Sequence, residues 1–335
     1  MISNGSSPPL SWSHTTTILI HKKNTDPCFI TNLHPITLSN TDIKLLSSIL
    51  ASRFQSYAHF LIHPFQTGFM KKRNIYDTIL DINSYLTIPN PPPEAFVLSV
   101  DWSKAYDRVS HSWLDYVLQQ SSFPLSFIHL THCSYHNCTS SIKINNFLST
   151  PFPVLQGVPQ GDPLAPLLFN LSIQPLFNLI MSVPTLTLRA YADDTTIIGH
   201  TSNDLSLLLN SIFPLYLSIT GGQINIQKSS LYPLSPLTFP SIPNSPPISS
   251  TLNILCLPPN PSPPLQHPNS KPHKVNIGHS ASTVHLHGIG NYFCIKSWAK
   301  PLSLTTLGLR LLPLSTYSFL DFCLCVLAYF KAKNR

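Results

Sequence analysis

The chain has 335 residues, enough at about 100–200 residues per domain for two or three lobes with a sizeable core. Its 43% hydrophobic content excludes a chain disordered throughout, 33 prolines against 11 glycines exclude a collagen repeat, and seven cysteines in this length do not make a disulfide scaffold. Twenty Lys and Arg against 13 Asp and Glu give a formal charge of +7, which permits a polyanionic partner without requiring one.

Met1 to Ser13 has no basic start and no continuous apolar core, so it does not read as a secretory leader. Thr16 to Ile20 is mostly β-branched and predicts a strand, followed by a turn over Lys22 to Pro27. Asp42 to Ala58 carries Ile43, Leu46, Ile49, Leu50 and Phe54 near helical spacing, and Ile75 to Leu86 predicts a second helix with Asp77 in its first turn. Asn90-Pro-Pro-Pro93 breaks the chain. Phe96 to Val100 predicts a buried strand that delivers Asp101 at its end, and Ser103 to Gln119 a helix with Ser103 as N-cap. Short strands follow at Ile142 to Ile144 and Phe152 to Leu155. Asp162 to Met181 predicts a long apolar helix, with Pro163 in its first turn and a kink at Pro175. Thr187 to Tyr191 and Thr195 to Gly199 predict a tight hairpin with Ala192-Asp193-Asp194 between them.

Beyond this the pattern changes. Residues 231–272 hold 13 of the 33 prolines and read as linker or disorder. No acid lies between Asp204 and Asp321, which is unlike an ordinary soluble domain. Tyr317 to Phe330 is apolar but shorter than the roughly twenty residues a spanning helix needs, and it contains Asp321. It reads as a buried or disordered tail rather than a span.

Asp101 at a strand end and Asp193 and Asp194 at a hairpin tip form the arrangement that two-metal nucleotidyl transfer requires. Two Mg²⁺ ions about 3.5–4 Å apart need carboxylate oxygens, with substrate phosphates and water completing the shell. An Asp-Asp pair in a turn, taken alone, reads as a solvated turn.

The surrounding residues remove that ambiguity. Val100-Asp-Trp-Ser-Lys-Ala-Tyr-Asp-Arg-Val109 resembles the first palm motif of reverse transcriptases, and Gln156-Gly-Val-Pro-Gln-Gly-Asp-Pro-Leu-Ala-Pro-Leu-Leu-Phe169 the second. Ala190-Tyr-Ala-Asp-Asp194 resembles the third, the Tyr-x-Asp-Asp box, and Gly221-Gly-Gln-Ile-Asn-Ile-Gln-Lys-Ser229 the fourth. Upstream, His34-Pro-Ile-Thr-Leu-Ser-Asn-Thr-Asp-Ile-Lys44 and Gln66-Thr-Gly-Phe-Met-Lys-Lys-Arg73 resemble the fingers motifs of LINE-type (non-LTR) retrotransposon enzymes. Order and spacing agree over residues 16–232.

The resemblance implies an α+β right-hand polymerase: fingers over residues 1–90 and, over 91–232, a palm with a ferredoxin-like sheet and helices. Residues 233–275 would be a Pro-rich linker, and 276–335 stay unassigned, with a degenerate or missing thumb. It implies RNA-directed DNA synthesis by target-primed extension, with an RNA template, a DNA primer or target, dNTPs and two Mg²⁺ ions. Asp101, Asp193 and Asp194 would bind the metals. Tyr106 stands where the family has its aromatic steric gate against a 2′-hydroxyl. Gln160 and Gly161 lie in the turn that borders the incoming nucleotide and template, and Lys228 matches a lysine placed to protonate or neutralise pyrophosphate. Lys22, Lys23 and Arg73, with Lys71 and Lys72, make the fingers basic, as phosphate contact requires. By family resemblance the site of action is the nucleus or the cytoplasm.

Departures accompany the match. His34 replaces the arginine of the usual Arg-Pro-Ile, which removes a permanent charge and a bidentate fork. The glycine-containing box at the thumb boundary is missing, and the coding frame reads as shifted or decayed after about Leu231. Without an endonuclease ahead of the fingers, the chain reads as a fragment of a LINE-type protein. A catalytically inactive relic that keeps a nucleic-acid-binding fingers–palm fold is therefore the alternative to an active polymerase. His132-Cys133, His136 and Cys138 make a compact cluster, but their spacing is not that of a zinc knuckle and reads as structural.

Overall fold

The computed structural model describes residues 12–21, 28–136, 138–235 and 242–249, together with Pro9 and Asp26. β-Branched residues favour extended backbone, and His14–His21 forms β1. The chain returns through a 3₁₀ turn at Ile30–Asn32 into β2, Leu33–Leu38, paired antiparallel to β1 from Thr16↔Leu38 to His21↔Leu33. Three later strands complete this sheet: β4 (Cys138–Ile144), β5 (Phe147–Leu148) and β6 (Phe152–Val154). β4 runs parallel to β1 and antiparallel to β5 and β6. The first sheet thus draws strands from both sides of residue 90.

The second sheet has the order β7-β8-β3-β9, built from β3 (Phe96–Val100), β7 (Thr187–Tyr191), β8 (Asp194–Gly199) and β9 (Ser230–Pro233). Every neighbouring pair in it is antiparallel. Its central strand β3 is an apolar run because both faces are covered, and Phe96, Val97 and Leu98 are at most 1% exposed.

The helices are α1 (Thr41–Leu61), α2 (Ile75–Leu86), α3 (His111–Gln120), α4 (Leu125–Tyr135), α5 (Ala165–Met181), α6 (Ser202–Leu207) and α7 (Phe213–Thr220). A π-turn at Leu208–Ile212 joins the last two. α5 is hydrophobic on all sides because it is buried on all sides. Leu168, Leu171, Ile173, Leu176 and Phe177 along it are no more than 2% exposed. α2 is tied to β7 by Arg189, whose Nε donates to Asp81 Oδ2 at 2.9 Å and whose guanidinium lies 3.6 Å over the Phe65 ring.

Two predicted helices need correction, and one helix is unpredicted. The helix expected from Ser103 begins instead at His111, with Ser110 as N-cap, its Oγ accepting from Trp113 N. Lys104 adopts φ +51°, which the first turn of a helix does not allow, while Ser103 N–H donates to the Gln223 carbonyl at 2.8 Å. A single 3₁₀ turn, Tyr106–Arg108, fills the gap. The helix expected from Asp162 begins at Ala165, and Pro166 rather than Pro163 occupies its first turn. α4 has no counterpart in the sequence reading. Its inward positions include Thr131 and Ser134, so no clean apolar stripe marks it. Their hydroxyls are satisfied by the carbonyls four residues back, Phe127 O at 3.0 Å and Leu130 O at 2.8 Å.

This is the α+β fingers-and-palm arrangement that the motifs imply. Residues 236–241 and 250–275 of the Pro-rich segment and all of residues 276–335 lie outside the described residues, as does the apolar run Tyr317 to Phe330. Among the described residues no helix is long and apolar enough to cross a membrane.

Candidate active site

Sheet register brings the three acids together. β3 pairs with β8 through Val100↔Thr195, so the residue after β3 meets the tip of the β7–β8 hairpin. Tyr191↔Asp194 closes that hairpin over a two-residue turn of Ala192 and Asp193. The turn needs a left-handed residue, and Ala192 supplies it at φ +55°. Asp101 is fixed by the fourth motif. Its N–H donates to Ser229 Oγ at 3.0 Å, and its carbonyl accepts from Asn225 N at 2.8 Å. Trp102 locks the strand end to β8, its indole N–H donating to Thr195 Oγ1 at 3.1 Å.

The carboxylates feel one another. Burial raises Asp193, and the charge of Asp101 raises it further. Burial, then Asp193, then Asp101 push Asp194 up to about 6. Burial also raises Asp101, opposed by the charge of Lys228 and a hydrogen bond from Asn225. A crowded, oxygen-only donor set with more negative charge than nearby cations neutralise suits a hard divalent cation.

A stability effect follows. An acid whose folded pKa lies above its unfolded value destabilises the fold once ionised. For Asp194 that cost appears as pH rises from about 3.8 through about 6 and is complete above it. Asp194 as a residue keeps solvent contact, so water screens part of the repulsion. Without divalent cations, Asp194→Asn is therefore expected to melt higher than the parent at pH 7 and to coincide with it below about pH 4. Thermal denaturation across pH measures this. Equal melting at pH 7 would mean that neither burial nor the neighbouring acids penalise a charged Asp194.

Behind the hairpin sits a clamp. Gln66, 0% exposed, receives Ala192 N on Oε1 at 2.8 Å and donates Nε2 to Ala192 O at 2.9 Å. The same Oε1 accepts Gly68 N at 3.0 Å, and Gly68 O accepts from Asn170 Nδ2 at 2.7 Å. Thr67 N and Phe65 O pair with the backbone of Ala190 at 2.9 and 3.0 Å. Gln66 and Gly68 were not among the predicted site residues, although the quoted fingers motif contains both. Only their place against the hairpin reveals what they do.

The remaining predicted residues fall as follows. The Tyr106 ring stacks on Phe169 with centroids 4.7 Å apart, and its buried hydroxyl has no hydrogen-bond partner. Burial, then the charges of Asp193 and Tyr191, hold its phenol well above the usual value, which puts it beside the acids. Gln160 is exposed and lines a groove of about 310 Å³ together with Thr17, Thr37, Asp107 and Gly157. The three acids do not line that groove. Gly161 has φ +104°, a conformation that favours glycine, with Thr37 O 3.6 Å from where a Cβ would sit. Lys228 is exposed and acts on Asp101 through its charge. Lys22 and Lys23 lie outside the described residues.

Arg73 turns inward rather than toward solvent. Its guanidinium donates to the carbonyls of His63 (2.6 Å), Gln66 (2.8 Å) and Ile62 (3.0 Å), closing the end of α1 and holding the clamp loop. Lys71 and Lys72 beside it are exposed.

Comparison with known proteins agrees with this geometry. Residues 20–257 match the family described as "Reverse transcriptase (RNA-dependent DNA polymerase)". The match runs past Leu231, which is itself buried in the palm sheet. The chain is 31% identical over 233 residues to the Transposon TX1 uncharacterized 149 kDa protein of Xenopus laevis, covering 66% of this chain and 18% of that protein. It is 27% identical over 205 residues to the Pol polyprotein of the Drosophila melanogaster retrotransposable element R2DM, covering 59% of this chain and 19% of that one. The chain thus spans about a fifth of the length of these relatives. Among solved structures, telomerase from Candida albicans in complex with a TWJ fragment of telomeric RNA superposes with a TM-score of 0.51 at 12% identity, over 75% of this chain and 46% of that one. At that identity the likeness is one of fold. Over the fingers-and-palm region, then, this chain belongs to the reverse transcriptase (RNA-dependent DNA polymerase) family, of the non-LTR retrotransposon type.

Proposed function

We propose that the chain is an RNA-directed DNA polymerase module that extends a DNA primer on an RNA template with dNTPs. The observation that supports it most is the meeting of Asp101 with the Asp193–Asp194 tip, where burial first, and then the charge of Asp101 on Asp193 and of both on Asp194, favours the protonated acids. Asp101 and the Asp193–Asp194 tip would hold two Mg²⁺. Those ions, when bound, lower the pKa of the primer 3′-hydroxyl and neutralise the triphosphate. The clamp of Gln66 keeps the tip from drifting, so positioning is built in before substrate arrives. Lys228, whose charge acts on Asp101, would offset charge on departing pyrophosphate. Gln160 and Gly161 would border the nucleotide and template, and Lys22, Lys23, Lys71 and Lys72 would meet phosphates. The fingers would comprise residues 1–90 and the palm 91–232.

Primer extension tests the proposal. The purified chain, a primed RNA template, dNTPs and Mg²⁺ are expected to give Mg²⁺-dependent extension. A folded protein that binds RNA in a salt-sensitive way but never extends would instead be a relic.

Tyr106 supplies a second test. Its ring, held flat on Phe169, would sit under the sugar and clash with a 2′-hydroxyl. A clash of about 1–3 kcal/mol converts to roughly five- to 150-fold discrimination. Tyr106→Ala is expected to raise ribonucleotide incorporation relative to deoxyribonucleotide by about tenfold or more. An unchanged ratio would reduce Tyr106 to a core aromatic.

A further inference from the structure

The His/Cys cluster seen in the sequence resolves into something different in three dimensions. Cys138 is buried with its thiol donating to Ser134 O, and Cys133 contacts His129. Asp115, from α3, joins His132 and His136 instead. One ligand atom from each lies within 4.8 Å of the other two. His136 Nε2 is 3.0 Å from Asp115 Oδ2, and the rings of His132 and His136 stack with centroids 3.7 Å apart.

We propose that Asp115, His132 and His136 bind a transition-metal ion of the zinc type, at a site separate from the three palm carboxylates. The two histidines stand four residues apart, one at the end of α4 and one at its C-cap, which is the spacing that puts two imidazoles on one helix face. Two nitrogens on a tetrahedral zinc lie about 3.3 Å apart, given Zn–N bonds of about 2.0–2.1 Å. The observed separations need only a fanning of the rings, and His132 is exposed and has room to turn. Two neutral imidazoles and one carboxylate leave a divalent ion with an open position for water. Imidazole donors favour zinc, copper or nickel over magnesium, so this site and the palm acids select different ions.

The fold supports the site from behind. His111 Nε2 lies 2.8 Å from the Gly157 carbonyl, which can only accept, so that nitrogen carries the proton. Its ring is 4.9 Å from that of His136. A metal here would cross-link α3 to the end of α4, next to the second palm motif. In the absence of metal, the same residues make an ordinary His136–Asp115 hydrogen bond, and the experiment must separate the two.

Full-length protein, stripped of metal and kept in excess Mg²⁺, would be titrated with Co²⁺ and read by visible d–d absorption. One equivalent should develop colour and be displaced by Zn²⁺. Asp115→Asn and His132→Ala should each weaken Co²⁺ binding by at least about 100-fold, the upper end of what an outer-shell change costs. X-ray absorption on the zinc-loaded parent should show a nitrogen and oxygen shell only, a readout that needs no variant to fold. No cobalt colour, colour that survives in folded Asp115→Asn and His132→Ala, or a sulfur ligand would each overturn the proposal. The chain has 15 histidines and seven cysteines, so each of those outcomes is a real competitor.

Discussion

Asp193→Asn is expected to lower primer extension by at least about 10³-fold while leaving the fold intact. A metal ion contributes several kcal/mol of charge stabilisation, and 1.36 kcal/mol is one decade of rate. Asparagine keeps the shape of the side chain but offers a cation no charge. It also relieves the repulsion from Asp101 that helps raise Asp193 in the parent. Melting temperature should therefore hold or rise as activity falls, and circular dichroism beside a primer-extension assay reads both. Residual extension within tenfold of the parent would mean that Asp193 does not hold a catalytic ion. A joint loss of melting and extension would mean that the acid is structural.

Gly68→Ala should be nearly as damaging through a different physical route. A Cβ at Gly68 would overlap Ala192 N and lie 2.9 Å from both Ala192 Cα and the Tyr191 carbonyl carbon. All three are backbone atoms of the hairpin that carries Asp193, so no side chain can swing away. The turn must retreat by about an ångström to reach ordinary contact, and a misplacement of that size can cost about 10²-fold in rate. Overpacking of this kind also costs about 1–3 kcal/mol of stability. The expected result is a roughly 100-fold loss of extension with the melting transition lowered but still cooperative. Full activity in Gly68→Ala would show that the hairpin tolerates displacement, and the clamp would lose its assigned role.

These two predictions divide what was legible in the chain from what was not. Asp193 could be proposed from the sequence because the motif that carries it is short and ordered, and local patterns such as strand, turn and strand survive in the sequence as alternation and punctuation. The long amphipathic or apolar stretches α1, α2 and α5 were visible for the same reason. The helix expected at Ser103 fails because Lys104 takes a left-handed conformation, in a turn whose Ser103 is held by Gln223, distant in the chain. α4 was missed because buried hydroxyls bonded to their own helix look like exposed polar residues. Arg73 was read as a phosphate contact because a sequence shows charge but not the three carbonyls that surround it.

The sequence by itself determined the family, the α+β class and the acids offered for catalysis, since these depend on residue type and local spacing. Tertiary structure alone decided which groups meet. It set Gln66 and Gly68 against the hairpin, turned Arg73 inward, and put Asp115 rather than Cys138 beside His132 and His136. The reason is physical. Periodicity and motif chemistry are encoded over a few residues, whereas hydrogen-bond partners, desolvation and like-charge crowding arise between segments that can lie more than a hundred residues apart. They exist only once the palm sheet and helices α1 and α3 have closed on α5.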